Sequence, residues 1–226
     1  KWVLSELNTL VSYVDDCLAS YKITESARAI SDFTDKLSNW YVRRCRDRFW
    51  GSGMSDDKVS AFMTLYTVLE TLVRLSAPYT PFIAESIYQN IVRVPFKNAE
   101  ESVHLTAFPV ANEKYIDKKL EKDMDAIINI AVLGRAARNS ENIKNRQPLN
   151  GILIAGVEDK ISDELIEVIA DELNVKKAEQ VDKASNLAKY LSSEEWLIGK
   201  SVKGYEMKKK RFPWGGIEVL YRQRED

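Results

Sequence analysis

Leu4-Ser-Glu-Leu-Asn-Thr-Leu-Val-Ser-Tyr-Val-Asp-Asp-Cys-Leu-Ala-Ser-Tyr21 opens the fold. Its apolar residues Leu4, Leu7, Val11, Val14, Leu18 and Tyr21 recur at alternating spacings of three and four, the stripe of an amphipathic helix. A striped helix needs partners, and three more follow. Thr24 is placed to cap a second helix with Glu25 in its first turn, and Ile30, Phe33, Leu37, Tyr41 and Cys45 carry the stripe towards Trp50 before Gly51-Ser-Gly53 stops it. Ser55, Asp56 and Asp57 give a cap and an acidic first turn to a third helix, with core positions expected at Val59, Phe62, Tyr66, Leu69 and Val73 and an end at Pro78. Thr80 sets a capping hydroxyl before Pro81, so a fourth helix runs through Ile83, Ile87 and Ile91 to about Arg93. Four helices with short connections predict an antiparallel bundle.

Pro95 to Pro109 is a connector holding His104, and a long fifth helix follows through Ile116, Leu120, Ile127 and Ala131 to about Asn139. Beyond Gln147-Pro148 the grammar changes. Gly151 to Gly156 is a short apolar strand, Ile161 to Leu173 a helix, Val175 to Val181 a second strand, and the loop-like tail from Ser192 has one strand at Ile217 to Tyr221. The expected fold class is therefore mainly α: an antiparallel helical bundle over residues 1–145, then a small α+β unit over 146–226.

Composition bounds the function. With 45% apolar and 30% charged residues over 226 positions, and only 9 Gly and 6 Pro, the chain reads as a helical globular protein. Its 33 Lys+Arg against 34 Asp+Glu create no global field, so a nucleic-acid role must be local. Cys17 and Cys45 fall inside helical patterns without metal or disulfide spacing, which points to the reducing cytoplasm. No apolar run approaches the roughly 18 residues of a membrane span. A first residue Lys1 suggests a piece of a longer protein.

Enzymatic constellations are scarce, and no catalytic or metal-ligating set is assigned. His104 has no nucleophile or carboxylate at a motif spacing. Gly51-Ser-Gly53 lacks the rest of a phosphate-binding fingerprint. The unusual stretch is Asp35-Lys-Leu-Ser-Asn-Trp-Tyr-Val-Arg-Arg-Cys-Arg-Asp-Arg-Phe-Trp50, in which four arginines are interleaved with Trp40, Phe49 and Trp50 beyond the stripe. That mixture holds phosphates and stacks bases. At about 100° per residue, Asn39, Arg43, Arg46 and Trp50 share the face opposite the stripe. Arg44 and Arg48 project on the stripe side, where Asp15 or Asp16 would pair them. A second basic stretch, Gly134 to Leu149, sets Arg135, Arg138, Lys144 and Arg146 against the single acid Glu141 at a helix end, where fixed charges can position a phosphate backbone. The four arginines of the first stretch equally allow a solvating or bundle-stapling role, and a charge run such as the second is usually a solvated face. A third cluster spans Lys203 to Arg211.

Four strings, in order, resemble the C-terminal anticodon-binding region of the isoleucyl-tRNA synthetases, class I enzymes. They are Trp2-Val-Leu-Ser-Glu-Leu-Asn8, the Leu37 to Trp50 string, Leu75-Ser-Ala-Pro-Tyr-Thr-Pro-Phe-Ile-Ala-Glu85, and Ile143 to Leu149 followed by Glu172-Leu-Asn-Val-Lys176. The third is shared with valyl and leucyl enzymes, whereas the second favours isoleucine. The resemblance covers Lys1 to Val181. It implies a parent that charges tRNA-Ile using ATP with Mg, in which this chain reads tRNA beside catalytic and editing domains, as a monomer, with no cofactor of its own. The parent's His-Ile-Gly-His and Lys-Met-Ser-Lys-Ser motifs are absent from these 226 residues. The residues implied to meet tRNA are Asn39, Trp40, Arg43, Arg46, Trp50, Arg135, Arg138, Lys144 and Arg146. The alternatives are the corresponding valyl domain, a helical protein-interaction module, and a self-contained enzyme.

Overall fold

The computed structural model describes residues 1–140, 142–155, 160–181 and the strand at 218–222. Glu141 and the Lys203 to Arg211 cluster lie outside the described residues. The chain divides into two compact units, Lys1–Glu121 and Lys122–Asp226.

In the first unit, α1 (Trp2–Ala19) and α2 (Ile23–Lys36) form a hairpin. Tyr21 takes φ 58°, turning the chain so that the Lys22 N–H reaches the Cys17 carbonyl at 2.8 Å. Lys36, ending α2, meets Glu6 near the start of α1 at 3.3 Å, which fixes the antiparallel sense. Val3, Leu7, Leu10, Val11 and Val14 of α1 pack with Ile30 and Phe33 of α2, burying most of the expected stripe, while Tyr21 lies outside it, exposed. Thr24 does not cap α2. The helix already begins at Ile23, behind Lys22, which makes no side-chain cap.

Helix α4 (Asp56–Ser76) opens as expected, with the Ser55 hydroxyl accepting from the Lys58 N–H at 3.2 Å. Its core phase differs from the expected one. Ala61, Val68, Leu72, Val73 and Leu75 are buried, whereas Val59 and Phe62 are exposed. This helix carries two apolar stripes, and its neighbours choose between them. Val68, Leu72 and Leu75 join the α1–α2 core. Val73 joins a second core with Ala84, Tyr88 and Val92.

The turn into α5 (Pro81–Tyr88) places proline at the first helical position. The Thr80 hydroxyl donates back to the Ser76 carbonyl at 3.2 Å rather than capping α5, because it closes the end of α4 instead. Tyr79 donates to the fully buried Ser26 hydroxyl at 2.7 Å, tying this turn to α2. Glu85 accepts from the Ser102 hydroxyl at 2.8 Å and the Val103 N–H at 2.9 Å, pinning the connector. Much of the Leu75 to Glu85 string is thus joinery.

The long helix α6 (Lys118–Ser140) starts behind Asp117, whose carboxylate accepts from the Leu120 N–H at 2.9 Å. Ile116 precedes the helix, whose buried apolar side chains are Met124, Ala126, Ile127, Ile130 and Ala131. The division into compact units falls after Glu121, so that most of α6 is counted with the second. Gly134 lies directly against the Leu173 side chain, where a Cβ would collide.

In that unit β1 (Gly151–Ala155) is the central strand, parallel to β2 (Ala178–Val181) and antiparallel to β3 (Glu218–Arg222), giving the order β2-β1-β3. Being central, β1 buries Ile152, Leu153 and Ile154 alike, hence its unbroken apolar run. Between β1 and β2 runs α7 (Asp163–Leu173), ended by Asn174 in the left-handed conformation at φ 50°.

Candidate nucleic-acid interface

The arginine-rich stretch is not one straight α-helix. After α2 the chain makes a wide π turn over Leu37–Val42, with the Arg43 N–H reaching back five residues to the Ser38 carbonyl, and resumes as α3 (Arg46–Trp50) beyond a turn at Cys45. A π turn accommodates one extra residue. Cys45 is buried, and Phe49 stacks on Phe62 at 5.0 Å and edge-on to Tyr41 at 6.3 Å. The Tyr41 hydroxyl donates to the Ala61 carbonyl at 3.0 Å, and burial pushes its phenol pKa up.

The basic residues along this segment divide by exposure and partner. Asn39, Arg43, Arg46 and Trp50 are all exposed, with Trp50 at 85%. Arg43 donates through Nε to the Asn39 carbonyl at 2.8 Å, and its guanidinium carbon stands 5.9 Å from the Trp40 ring centroid. Trp40 itself is buried, at 7% exposure, so it supports that arginine from below and presents no face for a base. Arg48 does not pair with Asp15 or Asp16. It grips Asp57, at the start of α4, with Nη2–Oδ1 at 2.6 Å and Nε–Oδ2 at 2.7 Å. The Asp57 carboxylate holds Arg48 further up, and Arg48 holds the Asp57 carboxyl below the usual carboxylate range. Lys58 donates to the Gly51 carbonyl at 2.7 Å. Arg44 is half-buried.

In the second unit the structure separates residues that share one stretch of sequence. Arg138 is 1% exposed, and its guanidinium donates to the carbonyls of Lys144, Gln147, Leu173 and Asn174 at 2.6–3.2 Å. It is an internal staple, not a phosphate ligand, because four carbonyls converge where the helix end meets the loop. Arg135 is ion-paired with Glu172. Only Lys144 and Arg146 of this set stand exposed on the loop.

Sequence reasoning missed Asp57 and Lys58 as partners of the arginine stretch. The available signal was their position just across a Gly-Ser-Gly turn from Arg48. It also missed a buried polar knot. Glu121 accepts from Ser5 at 2.5 Å, Thr9 at 2.7 Å and Lys118 at 2.9 Å. A cleft of about 330 Å³ in the first unit is lined mainly by apolar and threonine side chains such as Leu7, Val11, Thr67 and Val110, with Arg74 held by Glu70 at 2.8 Å. Among the described residues no three His, Cys, Asp or Glu side chains gather to hold a metal ion, and no helix is long and apolar enough to cross a membrane.

The sequence is similar to known proteins along most of its length. Residues 1–154 match the family described as the anticodon-binding domain of tRNA ligase. The chain is 50% identical over 194 residues to the isoleucine–tRNA ligase of Clostridium novyi (strain NT), covering 86% of the chain and 18% of that relative. It is 45% identical over 200 residues to that of Dehalococcoides mccartyi (strain CBDB1), covering 86% and 20%, and 46% identical over 192 residues to that of Bacteroides fragilis (strain YCH46), covering 83% and 17%. The chain thus spans about a fifth of the curated relatives it matches. It belongs to the anticodon-binding domain family of the tRNA ligases.

Proposed function

We propose that the chain is the tRNA-reading part of an isoleucine–tRNA ligase, holding tRNA-Ile for aminoacylation by catalytic and editing domains of a longer, monomeric, cytoplasmic parent. ATP with Mg belongs on this reading to the parent's catalytic part, and this chain's own residues bind and orient RNA. The observation that carries the proposal is the exposed row Asn39, Arg43, Arg46 and Trp50 on the first unit. Unpaired anticodon bases are read by stacking on aromatic or guanidinium planes, while cations hold the phosphates. Lys144 and Arg146 add two exposed cations in the second unit. Similarity to isoleucine–tRNA ligases from several bacteria supports the isoleucine assignment over the valyl alternative.

The test is a salt titration of binding to tRNA-Ile and tRNA-Val transcripts. If roughly four phosphates are neutralised, log K against log[salt] falls with a slope of about −3, and tRNA-Ile binds more tightly throughout. Equal affinity for both would remove the isoleucine assignment. A flat salt response would leave a protein-interaction module.

A further inference from the structure

Trp50 is the last residue of α3 and 85% exposed, so its own side chain has little to hold it in place. The backbone beneath it is nevertheless fastened on three sides. Phe49 is wedged between Tyr41 and Phe62. Arg48 makes its two-pronged grip on Asp57, and a further bond from Nη2 reaches the Asp57 carbonyl at 3.1 Å. Lys58 takes the Gly51 carbonyl, immediately after the tryptophan. Helix α3 has only five residues, too few to be stable alone, and so takes its orientation from these ties. Beyond them Gly53, at φ 74°, turns the chain back into α4.

We infer that Asp57 and Lys58 are positioning residues for the RNA-stacking surface of Trp50, acting through Arg48 and the Gly51 carbonyl without touching RNA themselves. The inference rests on the proposed tRNA-reading role and assigns interface work to the start of α4. An exposed ion pair adds little to stability. Two parallel hydrogen bonds between planar groups do, however, fix direction. Binding to a surface presented only part of the time weakens in proportion to the fraction presented.

A double-mutant cycle on the full chain, binding a tRNA-Ile anticodon stem–loop, tests this with Trp50→Ala, Asp57→Ala and the double variant. Asp57→Asn serves as a second, shape-preserving replacement. Trp50→Ala alone is expected to weaken binding roughly five- to 150-fold, the value of one stacked base. Asp57→Ala is expected to cost about threefold, as if Trp50 were correctly presented a third of the time. In the Trp50→Ala background Asp57→Ala should then cost nothing further, a coupling that loss of stability alone would not produce. If Trp50→Ala weakens binding while the Asp57 variants do nothing, or if the two losses simply multiply, the positioning role is overturned and the interface reading stands. If Trp50→Ala itself leaves binding unchanged, the interface reading falls and takes this inference with it.

Discussion

Residues 43–50 and residues 134–149 each hold four cationic side chains, and by composition both are candidate phosphate-binding stretches. The fold treats them differently. In the first, Arg43 and Arg46 stay in solvent and Arg48 is spent on Asp57. In the second, Arg138 is taken inside by four backbone carbonyls and Arg135 is paired with Glu172, leaving Lys144 and Arg146 outside. What separates them is the supply of acceptors. Carbonyls left over at a helix C-terminus are a strong trap for a five-donor guanidinium, and α6 and α7 each end beside Arg138. Along the continuing run through the π turn the Arg43 Nε makes a local bond to the Asn39 carbonyl, and the guanidinium stays outside.

The contrast breaks most sharply at Arg138. Arg138→Ala would remove the donor shared by four carbonyls, that of Leu173 among them in a buried bond, and leave a void, a loss of about 3–5 kcal/mol for the second unit. Thermal unfolding monitored in that unit should move down steeply, and Arg138→Lys should restore only part, because an ammonium lacks the planar fork. A thermally silent Arg138→Ala with weakened tRNA binding would return this arginine to the interface.

A smaller effect is expected at Glu121, the first unit's own buried charge. Burial pushes its pKa up, and the hydrogen bonds from Ser5, Thr9 and Lys118 more than reverse that, so the folded value lies below normal. Its stabilisation is therefore complete above the ordinary glutamate value of about 4.3 and disappears as pH falls through the lowered folded value. Glu121→Gln should cost about 1–3 kcal/mol at pH 7, with the difference from the parent chain closing in acid. A gap that stays constant from pH 7 to pH 3 would assign the cost to packing.

The smallest changes concern the exposed cations, where stability should move by less than about 0.5 kcal/mol. Arg46→Ala is expected to reduce the salt slope for tRNA binding by about 0.7–0.9, the share of one phosphate contact. Lys144→Ala and Arg146→Ala should each do the same or less, measured by the same titration. If the loop pair matters more than Arg43 and Arg46 together, the second stretch is the principal contact, and the ranking of the two regions reverses.

The elements were largely legible in the sequence because their periodicity and punctuation are strong. Ser55, Pro81 and the glycine-bounded β1 each did locally what their chemistry requires. The core phase of α4 was not legible, since both its stripes are apolar and only its neighbours decide between them. At the candidate interface a wheel at constant pitch placed Asn39, Arg43, Arg46 and Trp50 outward, where they are. Trp40, named with the residues implied to meet tRNA, is buried, and Arg48 finds Asp57 across the Gly-Ser-Gly turn instead of Asp15 or Asp16, a pairing that a wheel drawn on one helix does not reach. Arg138 was illegible for another reason. Its acceptors come from residues 144, 147, 173 and 174, which only the folded chain brings together.

The π turn at Leu37–Val42 has a consequence for chain length. Along an ordinary helix, losing one residue twists everything downstream by about 100° and moves a surface side chain out of its place. Leu37–Val42 already carries a surplus residue, so dropping one there relaxes the turn to α geometry and leaves Arg46 and Trp50 aimed as before. The segment is slack in the chain. Deleting one residue between Leu37 and Val42 is therefore expected to keep Arg46 and Trp50 in the outward row, which a tRNA-binding titration of the deletion variant would check.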